Sequence, residues 1–252
     1  MASRFRIGSV PYLNAAPLTH GLPDVLLLPP SRLAPELHAG RLDAALLSIT
    51  EAMGPHGHDV LDGCGILARG PVFSVGVTHR VPPEQATAIH LDPASCTSVN
   101  LLRVLLRAHG LTPRLLPLAS VEDALAHEAA LLIGNPAIAF RRAHPERPWW
   151  DLGEAWWNRE KLPFVFAAWV LRKDAPPELR RLLANAARSG MAHLADITRA
   201  APDFDEPFRR AYLGGHIQYD LDEPARHGVE RFAALLREVT GREHRAPRWV
   251  EP

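Results

Sequence analysis

Four short polar segments, each following a short apolar run, hold the residue types that could do chemistry: PYLN (11–14), SITE (48–51), SCTS (95–98) and GN (134–135). Loops at the carboxyl ends of parallel strands are where α/β proteins bind ligands. In the third segment, Ser95, Thr97 and Ser98 stand just before a strongly apolar helical stretch, 99–109. Their hydroxyls and backbone N–H groups therefore gather at the positive end of a helix dipole. A carboxylate or phosphate can be held there without arginine; equally, Ser95 or Thr97 can act as an ordinary helix cap. Asn14 has a similar pair of readings, a ligand contact or a turn residue bonded to its own backbone. Ser74, inside the apolar run GPVFSV (70–75), reads either as a satisfied core hydroxyl or as a ligand contact.

Other reactive side chains are less organised. His56 and His58 offer two metal ligands in a Gly/Pro-rich loop, a pattern that suits a solvated loop better than a metal site. Cys96 adjoins the candidate anion site and could be a low-pKa nucleophile at a helix start, but no histidine lies near it in sequence. With only Cys64 and Cys96, and no CxxC spacing, neither a disulfide framework nor a structural zinc site is indicated. No P-loop, GxGxxG or GxSxG pattern is present, which disfavours nucleotide cofactors and a serine elbow. Trp149, Trp150, Trp156, Trp157 and Trp169 crowd about twenty residues and suit either a stacked planar ligand or a lobe interface or core.

The elements that must position these residues follow from the apolar pattern. Strands are expected at 6–10, 25–28, 43–48, 65–67 and 73–77, with helices at 11–18 and 31–39, the second ended by Gly40. A second β-α-β-α-β series follows: strands at 88–91, 115–118 and 130–133, the helix 99–109, and a helix from about 120 to 128 opened by the capping pattern Ser120–Asp123. A strand at 164–171, a long helix over 177–200 and a final helix carrying Val229, Phe232, Leu236 and Val239 complete the chain. Two α/β units followed by a helical tail predict two lobes, 1–80 plus 172–252 and 81–171, with crossings near 78–82 and 171–175.

The 252 residues, 47% hydrophobic and 22% charged, can build such a core without staples. Basic and acidic residues cancel at 28 each, so net charge favours neither nucleic acid nor an acidic membrane surface. No run approaches the roughly 18 apolar residues of a membrane span. The first residues, broken by Arg4, Arg6, Gly8 and Pro11, lack a signal-peptide core. The expectation is a reduced cytoplasmic protein, with its oligomeric state open.

Five segments in order carry a resemblance. RIGSVPYLNAAPL (6–18), GPVFSV (70–75), SCTSV (95–99), LIG (132–134), and a stretch from DLG (151–153) through Trp156 to LPFVFA (162–167) and Trp169 resemble the chorismate dehydratases of menaquinone biosynthesis. The similarity covers most of 6–240 and weakens after Arg172. It implies a type II periplasmic-binding-protein-like α/β fold, two lobes closing on a central cleft, and dehydration of chorismate, a dicarboxylate, to 3-[(1-carboxyvinyl)oxy]benzoate in the futalosine route. No metal or cofactor is implied. By the same resemblance Asn14 is the catalytic residue and Ser74, Thr97 and Ser98 hold the substrate carboxylates. Tyr12, Ser48, Ser95, Gly134 and Asn135 complete the expected binding set. Many relatives carry aspartate where this chain has Asn135, and a neutral amide cannot replace a carboxylate as a base.

The implied reaction needs a proton acceptor, yet none of the matching segments before the Trp-rich stretch offers a histidine or lysine. One of chorismate's own carboxylates is the expected base, with Glu51 the protein alternative. The rival classes are a cytoplasmic ligand sensor of the same fold and a 1,4-dihydroxy-6-naphthoate synthase. The latter family opens with a Cys-Pro-Asn-Asp type motif that this chain lacks.

Overall fold

The aliphatic runs that predict strands pair into two separate sheets in the computed structural model, which describes residues 4–54 and 58–252. Along the chain come β1 (Ile7–Ser9), a 3-10 turn (Leu13–Ala15), α1 (Ala16–Thr19), β2 (Leu26–Leu27), α2 (Pro30–His38), β3 (Ala44–Ser48), α3 (Ile49–Ala52) and β4 (Asp59–Ala68). Next are β5 (Val75–His79), β6 (Ala88–Leu91), α4 (Thr97–Ala108), β7 (Arg114–Pro117), β8 (Ala129–Ile133), α5 (Gly134–Ala143), β9 (Trp149–Asp151) and α6 (Leu152–Glu160). The return leg holds β10 (Phe164–Leu171), α7 (Pro177–Ala192), α8 (Leu194–Ala200), α9 (Glu206–Ala211), a π-turn (Tyr212–His216), β11 (Gln218–Leu221), α10 (Glu223–Thr240) and β12 (Arg248–Val250). Among the described residues, no helix is long and apolar enough to cross a membrane.

The first sheet has the order β11-β4-β10-β3-β1-β2, with β12 also on β4; the second is β7-β6-β8-β5-β9. The expected parallel β-α-β cores are present, β2-β1-β3 in one sheet and β7-β6-β8 in the other. Each sheet also contains a strand the sequence assigns to the other lobe. β5 pairs antiparallel with β8 and β9, and β10 is inserted antiparallel between β3 and β4. The chain therefore changes sheets at 69–74 and again between β9 and β10, not at 78–82 and 171–175. The boundaries drawn at residues 80 and 171 move accordingly. Both strands are buried on both faces, so no polar-out, apolar-in alternation in their sequences says which sheet they enter.

The first crossing is held by one carboxylate. Asp151, buried at the end of β9, accepts hydrogen bonds from the N–H groups of Val72 (3.0 Å) and Phe73 (2.8 Å), and caps α6 through Glu154 N–H (3.1 Å). Phe73 is thereby kept at φ +67, a conformation rare for an aromatic residue, with the Arg141 guanidinium 4.0 Å above its ring. This strained residue immediately precedes Ser74.

Two expected helices are altered. The long one over 177–200 breaks at His193 into α7 and α8, because the His193 ring turns back onto the Ser189 carbonyl (2.8 Å) and stacks on His20. The segment after Ser120 forms only a five-residue 3-10 helix, Glu122–Ala126, although the Ser120–Asp123 pairing is made (3.0 Å). Trp156 and Trp169 are fully buried, Trp156 edge-on to Phe164 and Phe232, so this part of the tryptophan cluster is core.

Replacing Asp151 by alanine leaves three backbone donors without their acceptor. The expected loss is on the order of 3 kcal/mol, read as a lower urea midpoint with an unchanged slope.

Candidate active site

Between the two sheets lies a cavity of about 80 Å³. Its apolar walls include Leu46 from β3, Ile66 from β4, Phe166 from β10, Val72 from the crossing and Ile133 from β8. Its polar groups are Tyr12, Asn14, Ser48, Ser74, Cys96, Thr97 and Ser98, with Gly134 at one corner. Among the described residues, no charged side chain lines it. A net charge buried here would be costly without compensating donors, so the backbone has to supply them.

Two helices begin at the cavity. α4 starts two residues earlier than the apolar pattern predicts, placing Thr97 and Ser98 in its first turn, and its N-cap, Cys96, makes no side-chain capping bond. α5 starts at Gly134, again without a side-chain cap. The start of α4 faces the cavity through Thr97 and Ser98, an arrangement suited to a carboxylate, whereas at α5 the Gly134 N–H is taken by the Ser74 carbonyl and Pro136 has no N–H to offer.

Thr97 is not the ordinary cap that its position allows. Its hydroxyl reaches across to the β3–α3 turn, in short contact with Ser48 Oγ and 2.9 Å from Thr50 Oγ1, and accepts from Thr50 N–H at 3.3 Å. Beside it the Cys96 thiol donates to Glu51 Oε1 at 2.9 Å. Burial, reinforced by Glu51, pushes that thiol up to about 12. Cys96 is thus a neutral donor and not the low-pKa nucleophile its position suggests. Glu51 points to this thiol and does not line the cavity.

On the opposite wall, the 3-10 turn after β1 brings Asn14 beside Ser74 and a residue the motifs do not include, Tyr212. The fully buried Tyr212 hydroxyl donates to Ser74 Oγ at 2.8 Å. Burial drives the Tyr212 phenol far above its ordinary range, so it is a permanent hydrogen-bond donor. Asn14 Oδ1 is enclosed without a hydrogen-bond partner among the described residues.

Gly134 has φ +66 and donates its N–H to the Ser74 carbonyl (2.9 Å); a Cβ there would come 2.9 Å from the Tyr12 ring. Glycine is needed both for the backbone and for the ring lying on it. Tyr12, its phenol raised to about 12 by burial and then by Asp92, separates the cavity from an open outer groove lined by His20, Leu27 and Asp203.

The structure thus brings Tyr12, Asn14, Ser48, Ser74, Thr97, Ser98 and Gly134 to one cavity. Ser95 and Asn135 are not in its lining. Ser95 Oγ is buried nearby without a partner. Asn135, expected to bind substrate, is instead a bridge: its Oδ1 accepts from Leu13 N–H (3.0 Å) and its Nδ2 donates to Asp203 Oδ2 (3.0 Å). His58 stacks on His38, whereas His56 lies outside the described residues. Tyr212 and Thr50 are the residues sequence reasoning missed. The available signal for Tyr212 was slight, one of three tyrosines in the chain and followed by a Gly-Gly pair.

A family model described as menaquinone biosynthesis matches residues 5–238. The chain belongs to that family. Another protein resembling it is the chorismate dehydratase of Thermus thermophilus, 30% identical over 260 residues that cover 91% of this chain and 94% of that protein. Among solved structures, a protein from Archaeoglobus fulgidus superposes with a TM-score of 0.72 at 16% identity, covering 94% of this chain and 97% of that one. The periplasmic aliphatic sulphonate-binding protein of Escherichia coli superposes at 0.56 and 15% identity, covering 93% and 84%. At such identities these neighbours establish the fold, which is periplasmic-binding-protein-like, with two α/β lobes around a central cleft. This menaquinone-biosynthesis family member has a cavity whose polar residues come from segments flanking both of its sheets.

The Asn135 bridge is possible because an amide can accept on one side and donate on the other. Asn135→Asp sets a second carboxylate against Asp203. The variant is expected to lose about 1 kcal/mol at neutral pH, the deficit shrinking as the pH falls and the pair takes up a proton. Thermal melts at pH 7.5 and pH 4 check this.

Proposed function

We propose that this protein is a chorismate dehydratase, a hydro-lyase that converts chorismate to 3-[(1-carboxyvinyl)oxy]benzoate and water, and that it does so in the cytoplasm. The observation that supports this reading most is the combination of an uncharged, donor-lined cavity with the start of α4, in a chain 30% identical to a named chorismate dehydratase. The substrate carries two carboxylates, and the first turn of α4, with the Thr97 and Ser98 hydroxyls, offers a seat for one of them.

The reaction takes a proton from the ring carbon bearing the enolpyruvyl ether and hydroxide from the next carbon, and formation of the aromatic ring drives it. The protein must hold the substrate, provide for a proton acceptor and help the hydroxyl leave. An amide is no base at neutral pH, so Asn14 serves by hydrogen bonding to the leaving oxygen, with Ser74 as a second donor. Among the described residues the cavity lining contains no carboxylate, imidazole or amine. The acceptor in this reading is therefore the substrate's own enolpyruvyl carboxylate. Glu51, held by the Cys96 thiol outside the lining, anchors the wall.

Incubating purified protein with chorismate alone and following products by mass spectrometry is expected to show loss of one water. Binding without conversion would indicate a sensor and overturn the assignment. Glu51→Gln should keep turnover within about threefold of wild type; abolished turnover with intact binding would make Glu51 the base.

Asn14→Ala should lower kcat by about 10²–10³-fold while the fold is preserved, the usual cost of removing one preorganised donor. Steady-state kinetics with circular dichroism decide it, and near-normal kcat would remove Asn14 from the mechanism.

A further inference from the structure

Ser74 and Asn14 reach the cavity from different parts of the chain, and neither makes the other's position inevitable. Ser74 follows the strained Phe73 at the sheet crossing, whereas Asn14 lies in the 3-10 turn after β1. Behind Ser74 stands Tyr212, on the π-turn between α9 and β11. Tyr212 is 1% exposed and does not line the cavity, so it cannot touch a ligand. Its ring is stacked on Phe208 (5.7 Å, 9° between planes), which fixes where the hydroxyl points.

A serine hydroxyl carries one hydrogen and can donate or accept. Because Tyr212 donates to Ser74 Oγ, that oxygen is already an acceptor on its inner side, and the Ser74 hydrogen is left for the cavity. Resting on the proposed dehydratase reading, we infer that Tyr212 is a positioning residue that sets the polarity of the site, making Ser74 a donor to the departing hydroxyl. It neither binds the substrate nor transfers its proton. Without it, the Ser74 hydroxyl is free to turn away, and the donor is no longer preorganised.

Tyr212→Phe keeps the ring and its stacking and removes only the hydroxyl. The expected result is an unchanged circular dichroism spectrum, kcat lower by about 10–100-fold, and KM within threefold of wild type. The double variant Ser74→Ala/Tyr212→Phe should be no slower than Ser74→Ala alone, because the second change acts through the first. A Tyr212→Phe enzyme within twofold of wild-type kcat overturns the inference, as do single effects that multiply in the double variant. The arrangement is also tested without turnover, through the Tyr212 hydroxyl proton in NMR spectra of the ligand-free protein. A slowly exchanging resonance absent in Tyr212→Phe and displaced in Ser74→Ala is expected; a resonance indifferent to the Ser74 change refutes the arrangement. If wild type fails to convert chorismate while this coupling is present, the dehydratase assignment falls and the positioning role stands.

Discussion

The whole molecule depends on β10 lying between β3 and β4. Antiparallel to both and buried along nearly its entire length, this strand supplies the interior of the first sheet, yet it reaches that sheet only after the chain has built the second one. The first sheet can be completed only by contacts of long sequence separation, which ties the folding of one lobe to the other. β10 also fixes the near wall of the cavity. Its Ala167 is in register with Ser48 on β3, and Phe166 and Ala167 both line the site. The position of Ser48, and through it the reach of Thr97, follows from that pairing.

A second constraint is electrostatic. The cavity holds polar atoms from both lobes but no ionised side chain, while the charges stand at its margins: Glu51 under Cys96, Asp203 under Asn135, and Arg142 paired with Asp205. Placing lysine or arginine inside would hold a carboxylate tightly in the ground state and leave less selectivity for a transition state in which charge moves from one part of the substrate to another. Helix ends and hydroxyls are weaker, directional and already aimed, so their hydrogen bonds can strengthen where charge develops. The segment 198–205 shows a related economy. The buried Arg209 guanidinium gathers the carbonyls of Thr198, Arg199, Asp203 and Phe204, and this holds in place the loop that presents Asp203 to Asn135.

Much of this was legible in the residues, and what was not has a physical reason. The serine and threonine run before an apolar stretch indicated a helix start, because helix starts have local rules, and Thr97 and Ser98 lie in the first turn of α4. Local rules could not reveal that Thr97 bonds across the cleft rather than to its own helix, since its partners Ser48 and Thr50 are nearly fifty residues away. The strands 73–77 and 164–171 were recognisable as strands, but being buried on both faces they carry no exposure pattern to indicate a sheet. Tyr212 lies beyond the motifs, in a stretch where the resemblance weakens, and only three-dimensional proximity gives it a role. Asn135 was readable as a departure from relatives, but its bridging role needed the coordinates of Leu13 and Asp203.

The hydrogen bonds between Thr97 and the β3–α3 turn span the two sheets, and they have a consequence for inhibition. In a transport protein of this architecture, parting the lobes simply discharges cargo. Here the same parting would separate Thr97 from Ser48 and withdraw the start of α4 from the wall that carries Asn14. On the proposed dehydratase reading, such a parting would make release of product and disarming of the site a single event. A compound wedged at the rim, too bulky to let these hydroxyls meet, would silence the protein without touching any group that acts on the substrate.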